Sequence, residues 1–139
     1  MRTPRLTHVA LPCADVAKSV DFYQRFAGLH LVHERTDEGT VVVWLSEAPD
    51  NPSFVVVLIG DPTTQAPARQ SLARHLGYDV ESRQAVDEIA RRGEKEGVLL
   101  QGPVYAGPVV GYYCMLRDPD GNVIEFSYGQ SVNPTALQT

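Results

Sequence analysis

The spacing of apolar and polar positions predicts a strand, a helix and three further strands in the first half of the chain. Residues 6–12 alternate as a half-buried strand does, and the apolar residues of 16–27 recur at helical spacing. Asp15 is the predicted N-cap of this helix and Gly28 its end. The extended stretches that follow lie at 29–36, 40–47 and 54–60.

The second half repeats this order after a connector at about 61–70, which has no periodic apolar pattern. Residues 74–80 predict a strand, and Ser82 is the predicted N-cap of a helix at about 83–96. Further strands are expected near 98–100, 111–117 and 123–128. From Gly129 onward we expect a loose tail.

Equivalent landmarks in the two halves recur at a nearly constant distance. His8 and His75 are 67 residues apart (75 − 8), and Val57 and Glu125, in the last strand of each half, are 68 apart (125 − 57). A constant offset indicates a duplicated unit. We therefore expect an α+β fold of paired βαβββ modules. The expected bounds are 1–139 for a single domain, about 4–60 for module one and about 71–130 for module two.

Composition narrows the class of protein. The chain has 139 residues, of which 43% are hydrophobic and 21% charged, and a net charge of −5. This balance excludes wholesale disorder, and the acidic charge argues against a nucleic-acid binder. No apolar run approaches the ~20 residues that span a bilayer. Two cysteines make no disulfide framework, so we expect a soluble, cytoplasmic protein.

Three polar residues lie where strands should be apolar. His8 and His75 occupy matching positions in the first strand of each half, and Glu125 points away from the face shared by Ile124 and Phe126. Two imidazoles and a carboxylate are a known ligand set for a divalent metal with open coordination positions. The alternatives are hydrogen-bonded strand histidines and a Glu125 paired with an arginine.

The chain also resembles a known family at both ends. The opening His8-Val9-Ala10-Leu11 with Ser19–Tyr23 and Gly28-Leu29, and the close Leu116–Phe126 with its DP-x-GN-x-IE pattern, are similar to a vicinal oxygen chelate module. That superfamily includes glyoxalase I, extradiol dioxygenases, fosfomycin-resistance thiol transferases and bleomycin-resistance proteins. The resemblance implies a cupped mixed sheet and a divalent metal held by His8, His75 and Glu125. Fe²⁺ or Mn²⁺ is favoured, and Zn²⁺ or Ni²⁺ is possible.

The resemblance also separates the activities within the family. The position of a fourth ligand in glyoxalase I falls on Val57, which cannot ligate, so an extradiol-type dioxygenase is the favoured activity. Extradiol enzymes generally carry a Tyr ten residues before the ligand Glu, but that position is Met115. Tyr113, on the same strand face as Met115, is the candidate catalytic residue, which would orient the substrate or donate a proton to it. The alternative is that Tyr113 is a packed aromatic residue. The alternatives are a glyoxalase-like isomerase or lyase, a thiol transferase, or a metal-free small-molecule-binding protein.

The residues of the site and the resemblance also give expectations for the substrate and for the oligomeric state. The site lacks obvious cationic groups and contains Val57, Met115 and Trp44, which favours an aromatic or apolar oxygenated small molecule. Cys114 should face away from the site. The resemblance implies a homodimer with shared sites, in which His8 of one subunit meets His75 and Glu125 of its partner.

Overall fold

The computed structural model describes residues 1–133 and contains two compact units. Unit one is Met1–Ala66, and unit two begins at Pro67, inside the predicted connector. Each unit holds one helix and a four-stranded mixed sheet, so the predicted α+β fold is confirmed. The last part of the expected tail and of the expected domain, residues 134–139, lies outside the described residues.

Unit one has the predicted order of elements. These are β1 (His8–Cys13), α1 (Val16–Ala27), β2 (His30–Asp37), β3 (Thr40–Ser46) and β4 (Val55–Gly60). The sheet order is β1-β4-β3-β2, with β1 parallel to β4 and the other pairs antiparallel. The Asp15 side chain accepts a hydrogen bond from the Lys18 backbone N–H at 3.2 Å, and Gly28 ends α1 in the left-handed conformation with φ 65°. The predicted helix is therefore correct at both ends.

Unit two repeats this topology. Its elements are β5 (His75–Asp79), α2 (Arg83–Lys95), β6 (Leu99–Tyr105), β7 (Tyr112–Arg117) and β8 (Val123–Tyr128), in the sheet order β5-β8-β7-β6. The prediction for β6 was too short, since the strand continues through Gly102 and Pro103 to Tyr105. Proline is tolerated there because β6 is an edge strand, and two register irregularities interrupt its pairing with β7.

In each unit the helix covers one face of the sheet, which leaves the other face for the candidate site. In unit one a Cβ on Gly60 would come within 3.3 Å of Val16 in α1, so the even-numbered residues of β4 face the helix. In unit two the Cys114 Sγ lies 3.9 Å from the Val86 carbonyl of α2, so Cys114 faces the helix as expected. Glu125 is therefore on the face opposite α2, because it alternates with Ile124 and Phe126.

The strand registers of the two sheets are equivalent residue by residue. His8 pairs with Val55 in β1–β4, and His75 pairs with Val123 in β5–β8. Val57 lies two residues after Val55 on β4, and Glu125 lies two residues after Val123 on β8. Val57 therefore holds the position in unit one that Glu125 holds in unit two. The duplication predicted from sequence offsets is thus present in the hydrogen-bonded register. Among residues 1–133, no helix is long and apolar enough to cross a membrane.

Candidate metal centre

His75 and Glu125 lie in direct contact in unit two. His75 Nε2 is 2.8 Å from Glu125 Oε2, although the residues are separated by 50 positions in the chain (125 − 75). His75 is the first residue of β5, and Glu125 lies in the middle of the adjacent parallel strand β8. The Glu125 side chain is 5% exposed and that of His75 is 30% exposed. Two of the three predicted ligands are therefore adjacent, with the carboxylate buried.

Both ring nitrogens of His75 face oxygen acceptors, which tests whether this pair suits a metal. Nδ1 lies 2.7 Å from the Leu72 carbonyl oxygen, which can only accept, so Nδ1 carries the proton of this hydrogen bond. In a neutral imidazole, Nε2 then has a lone pair directed at the Glu125 carboxylate. Two acceptors approach to 2.8 Å only when a proton or a metal cation lies between them. In metal sites, the histidine ring nitrogen that does not bind the metal commonly donates a hydrogen bond to a carbonyl oxygen, as Nδ1 does here. The pair therefore fits a divalent metal.

The surroundings of Glu125 leave space beside the carboxylate. Its neighbours across the strands are Gly77 on β5 and Met115 on β7. A Cβ on Gly77 would be 3.9 Å from Glu125 Oε2, so the glycine leaves room beside the carboxylate. The partner of this carboxylate in the described residues is His75, not the arginine considered as an alternative.

His8 lies in unit one, as the first residue of β1, and borders a pocket of about 480 Å³. Its Nδ1 is 3.0 Å from the Thr7 hydroxyl. The pocket wall is apolar at Val57 and Trp44 among others, but Arg5 and Arg35 also contribute to it. The expectation of a site without cationic groups was therefore wrong for this pocket. The sequence alone does not assign Arg35 to this face, because the face of Arg35 on β2 depends on its pairing with β3 beyond a register shift between Leu31 and His33.

Within residues 1–133, no three His, Cys, Asp or Glu side chains gather into a group that could hold a metal ion by itself. The ligand set of His8, His75 and Glu125 therefore stays a prediction.

Tyr113 and its neighbours divide between the two faces of the second sheet. Tyr113 pairs with Ser127 and is half-buried on the same face as Glu125. The Tyr112 hydroxyl instead donates to the Asp87 carboxylate of α2, and this hydrogen bond raises the pKa of Tyr112. Burial raises the pKa of the Cys114 thiol from 9.0 to about 12, so Cys114 is a protonated core residue at neutral pH.

Comparison with known proteins identifies the family. The family model described as the Glyoxalase/Bleomycin resistance protein/Dioxygenase superfamily matches residues 5–126. An uncharacterized protein of Pseudomonas aeruginosa is 41% identical over 134 residues, which are 95% of this chain and 94% of that protein. A lactoylglutathione lyase of Neisseria meningitidis is 27% identical over 124 residues, 88% of each chain.

A solved structure shares the fold. The fosfomycin resistance protein FosX of Listeria monocytogenes, crystallised with Mn(II), superposes with a TM-score of 0.71 at 18% identity, covering 98% of this chain and 99% of that one. The resemblance predicted from the end motifs is thereby confirmed. The chain belongs to the glyoxalase, bleomycin resistance protein and dioxygenase superfamily, whose members form the vicinal oxygen chelate class.

Proposed function

We propose that this protein is a divalent-metal-dependent enzyme that acts on a small molecule with two adjacent oxygen atoms. The proposed ligands are His8, His75 and Glu125. The observation that carries the proposal is the buried contact of His75 with Glu125, in which Nε2 and a carboxylate oxygen lie 2.8 Å apart, as two ligands of one metal ion do. A metal bound there supplies a Lewis acid that polarises the substrate oxygens.

The protein's own groups have separate roles in this proposal. The Leu72 carbonyl accepts a hydrogen bond from His75 Nδ1 and so orients Nε2 toward the metal position. Glu125 contributes the negative charge that favours a divalent cation. Tyr113, on the same sheet face as Glu125, orients the substrate or donates a proton to it.

The favoured reaction is an extradiol-type dioxygenation with Fe²⁺ or Mn²⁺. The supporting observation is Val57, which holds the register position equivalent to Glu125 and offers no second carboxylate for proton transfer. The second candidate is a glyoxalase-like isomerase with Zn²⁺ or Ni²⁺, which the similarity to the Neisseria lactoylglutathione lyase supports. The two differ in their substrates, since the first consumes oxygen with a catechol and the second isomerises a hemithioacetal.

The metal is tested on protein purified without chelators, by elemental analysis and by titration with Mn²⁺. We expect His75→Ala and Glu125→Gln to lose metal binding, because each removes one of three ligands. Glu88→Gln is the matched control, since Glu88 is an exposed carboxylate of α2 paired with Arg91. Full metal occupancy in both ligand variants would overturn the assignment. Wild-type protein without metal would favour a binding protein instead.

The reaction is tested with metal-loaded protein. Oxygen uptake on a panel of catechols supports the dioxygenase, and turnover of a hemithioacetal without oxygen uptake supports the isomerase. Tyr113→Phe should lower kcat in the active assay while leaving metal affinity unchanged, because the phenol is not a proposed ligand. A Tyr113→Phe enzyme with wild-type kcat would contradict the role given to Tyr113.

We also propose that the working unit is a homodimer in which His8 of one subunit completes the site formed by His75 and Glu125 of the other. The test mixes His8→Ala and Glu125→Ala proteins after dissociating both. Random reassortment makes about half of the dimers heterodimers with one intact site of two, so about a quarter of wild-type activity should return. No recovery despite demonstrated subunit exchange would mean that the ligands come from one chain.

A further inference from the structure

The pocket of unit one combines an aromatic surface with cationic side chains. Trp44 is the only tryptophan of the chain and is 37% exposed in the pocket wall. The Arg35 guanidinium lies over its ring at 5.9 Å from the centroid. Arg5 lines the same pocket, and no ion pair of Arg5 occurs within residues 1–133. Apolar side chains such as Val57 and Ile59 complete the wall.

Arg35 retains donors for a ligand. Its Nε bonds Asp37 at 2.7 Å, and the two side chains are 42% and 57% exposed. Exposed ion pairs of this kind contribute little stability and exchange readily with other partners. A guanidinium has five N–H donors, so the two terminal nitrogens of Arg35 still offer the fork that pairs with a carboxylate.

We propose that this pocket binds an ionised aromatic acid, with its ring beside Trp44 and its carboxylate held by Arg35 and Arg5. The chain as a whole carries a net charge of −5, so an anion needs local cations of this kind in order to bind. This inference deepens the proposed function and rests on it for its relevance to catalysis, since His8 lines the same pocket.

Binding can be measured without metal or activity. In full-length protein with EDTA present, the indole N–H of Trp44 gives one nuclear magnetic resonance signal whose shift follows ligand titration. Benzoate is compared with its neutral isostere benzamide, which tests the charge, and with acetate, which tests the ring. We expect benzoate to bind about fivefold more tightly than benzamide, the ratio that the exposed charge interactions with the two arginines supply together. Acetate should bind more weakly than benzoate because it lacks the ring that lies beside Trp44.

Substitutions identify the cations involved. Arg35→Gln should weaken benzoate about twofold and leave benzamide unchanged, because only the anion uses the guanidinium and Arg5 still holds the carboxylate. Asp37→Asn should tighten benzoate about twofold, since it removes a competing carboxylate beside Arg35. The double variant with Arg5→Gln and Arg35→Gln should bind benzoate and benzamide equally.

Arg25 provides a matched control in the same unit. Arg25 is 42% exposed like Arg35, pairs with Asp21 at 2.9 Å, and lies over the Phe26 ring at 5.1 Å, but it is on α1 and does not line the pocket. Arg25→Gln should therefore leave the benzoate Kd unchanged.

The outcomes separate this inference from the metal proposal. Equal Kd values for benzoate and benzamide in the wild type, or an unchanged benzoate Kd in Arg35→Gln, would overturn the aromatic-acid pocket. Benzoate binding that depends on Arg35 in a protein that binds no metal would retain the pocket and reject the metal proposal. Metal binding without a preference for benzoate over benzamide would retain the metal proposal and reject the aromatic-acid pocket.

Discussion

The contact between His75 and Glu125 predicts a measurable coupling in the stability of the metal-free protein. The perturbation is a double-mutant cycle of His75→Ala, Glu125→Gln and the combined variant, followed by the free energy of unfolding. Glu125 is 5% exposed, and its partner in the described residues is the His75 imidazole. Removal of the imidazole leaves the buried Glu125 carboxylate without its hydrogen-bond partner, whereas Glu125→Gln removes the buried carboxylate itself.

The magnitude follows from the burial of the two side chains. Removing one partner of a fully buried ion pair costs about 3–5 kcal/mol. His75 is 30% exposed, and the space left by its ring admits water, so we expect His75→Ala to cost about 2–3 kcal/mol. Glu125→Gln should cost about 1 kcal/mol, because the amide can still hydrogen-bond to Nε2. The double variant should cost about 2 kcal/mol instead of the sum, giving a coupling of about 1.5 kcal/mol.

The assay is urea unfolding at one fixed protein concentration with EDTA present, followed by circular dichroism. The control cycle uses Arg91→Ala and Glu88→Gln, because that helix pair is 63% and 52% exposed and should couple by no more than about 0.5 kcal/mol. Addition of Mn²⁺ should then stabilise the wild type and none of the His75 or Glu125 variants. A His75–Glu125 coupling no larger than that of the control would refute the buried pair and the reasoning built on it.

Three further predictions concern other positions in the two sheets. Val57→Glu should raise the metal coordination number, measured spectroscopically, and confer some hemithioacetal isomerisation, measured by turnover, because Val57 is the register equivalent of Glu125. An unchanged coordination number would mean that this equivalence does not extend to the metal. Cys114 should resist iodoacetamide at about pH 8 in the folded protein, as read by mass spectrometry. Since burial raises its pKa from 9.0 to about 12, the Cys114 thiol contributes stability below about pH 9 that is lost as the pH rises toward 12; fast alkylation without unfolding would contradict this. Gly93→Ala should lower the free energy of unfolding by about 1 kcal/mol despite the better helix propensity, because the new Cβ would lie 3.0 Å from Cγ of the buried Leu116; a more stable variant in urea would mean that Leu116 moves aside freely.

Local patterns in the sequence determined most of the secondary structure. The bounds of α1 follow from the Asp15 cap and the left-handed Gly28, both of which act within a few residues. The face of Glu125 follows from strand alternation, which is also local. The strand β6 was underestimated because Gly102-Pro103 reads as a break, and only its position at the sheet edge makes proline acceptable.

The sequence by itself determined the family, the βαβββ repeat and the residue types of the candidate ligands, because these depend on motifs, periodicity and spacing along the chain. Only the tertiary structure decided that His75 touches Glu125, that the Leu72 carbonyl orients the imidazole, and that Arg35 enters the pocket beside Trp44. The physical reason is register. Contacts between residues distant in the chain depend on which strands pair and where each bulge falls, and a shift of one residue would turn the same side chains to the opposite face.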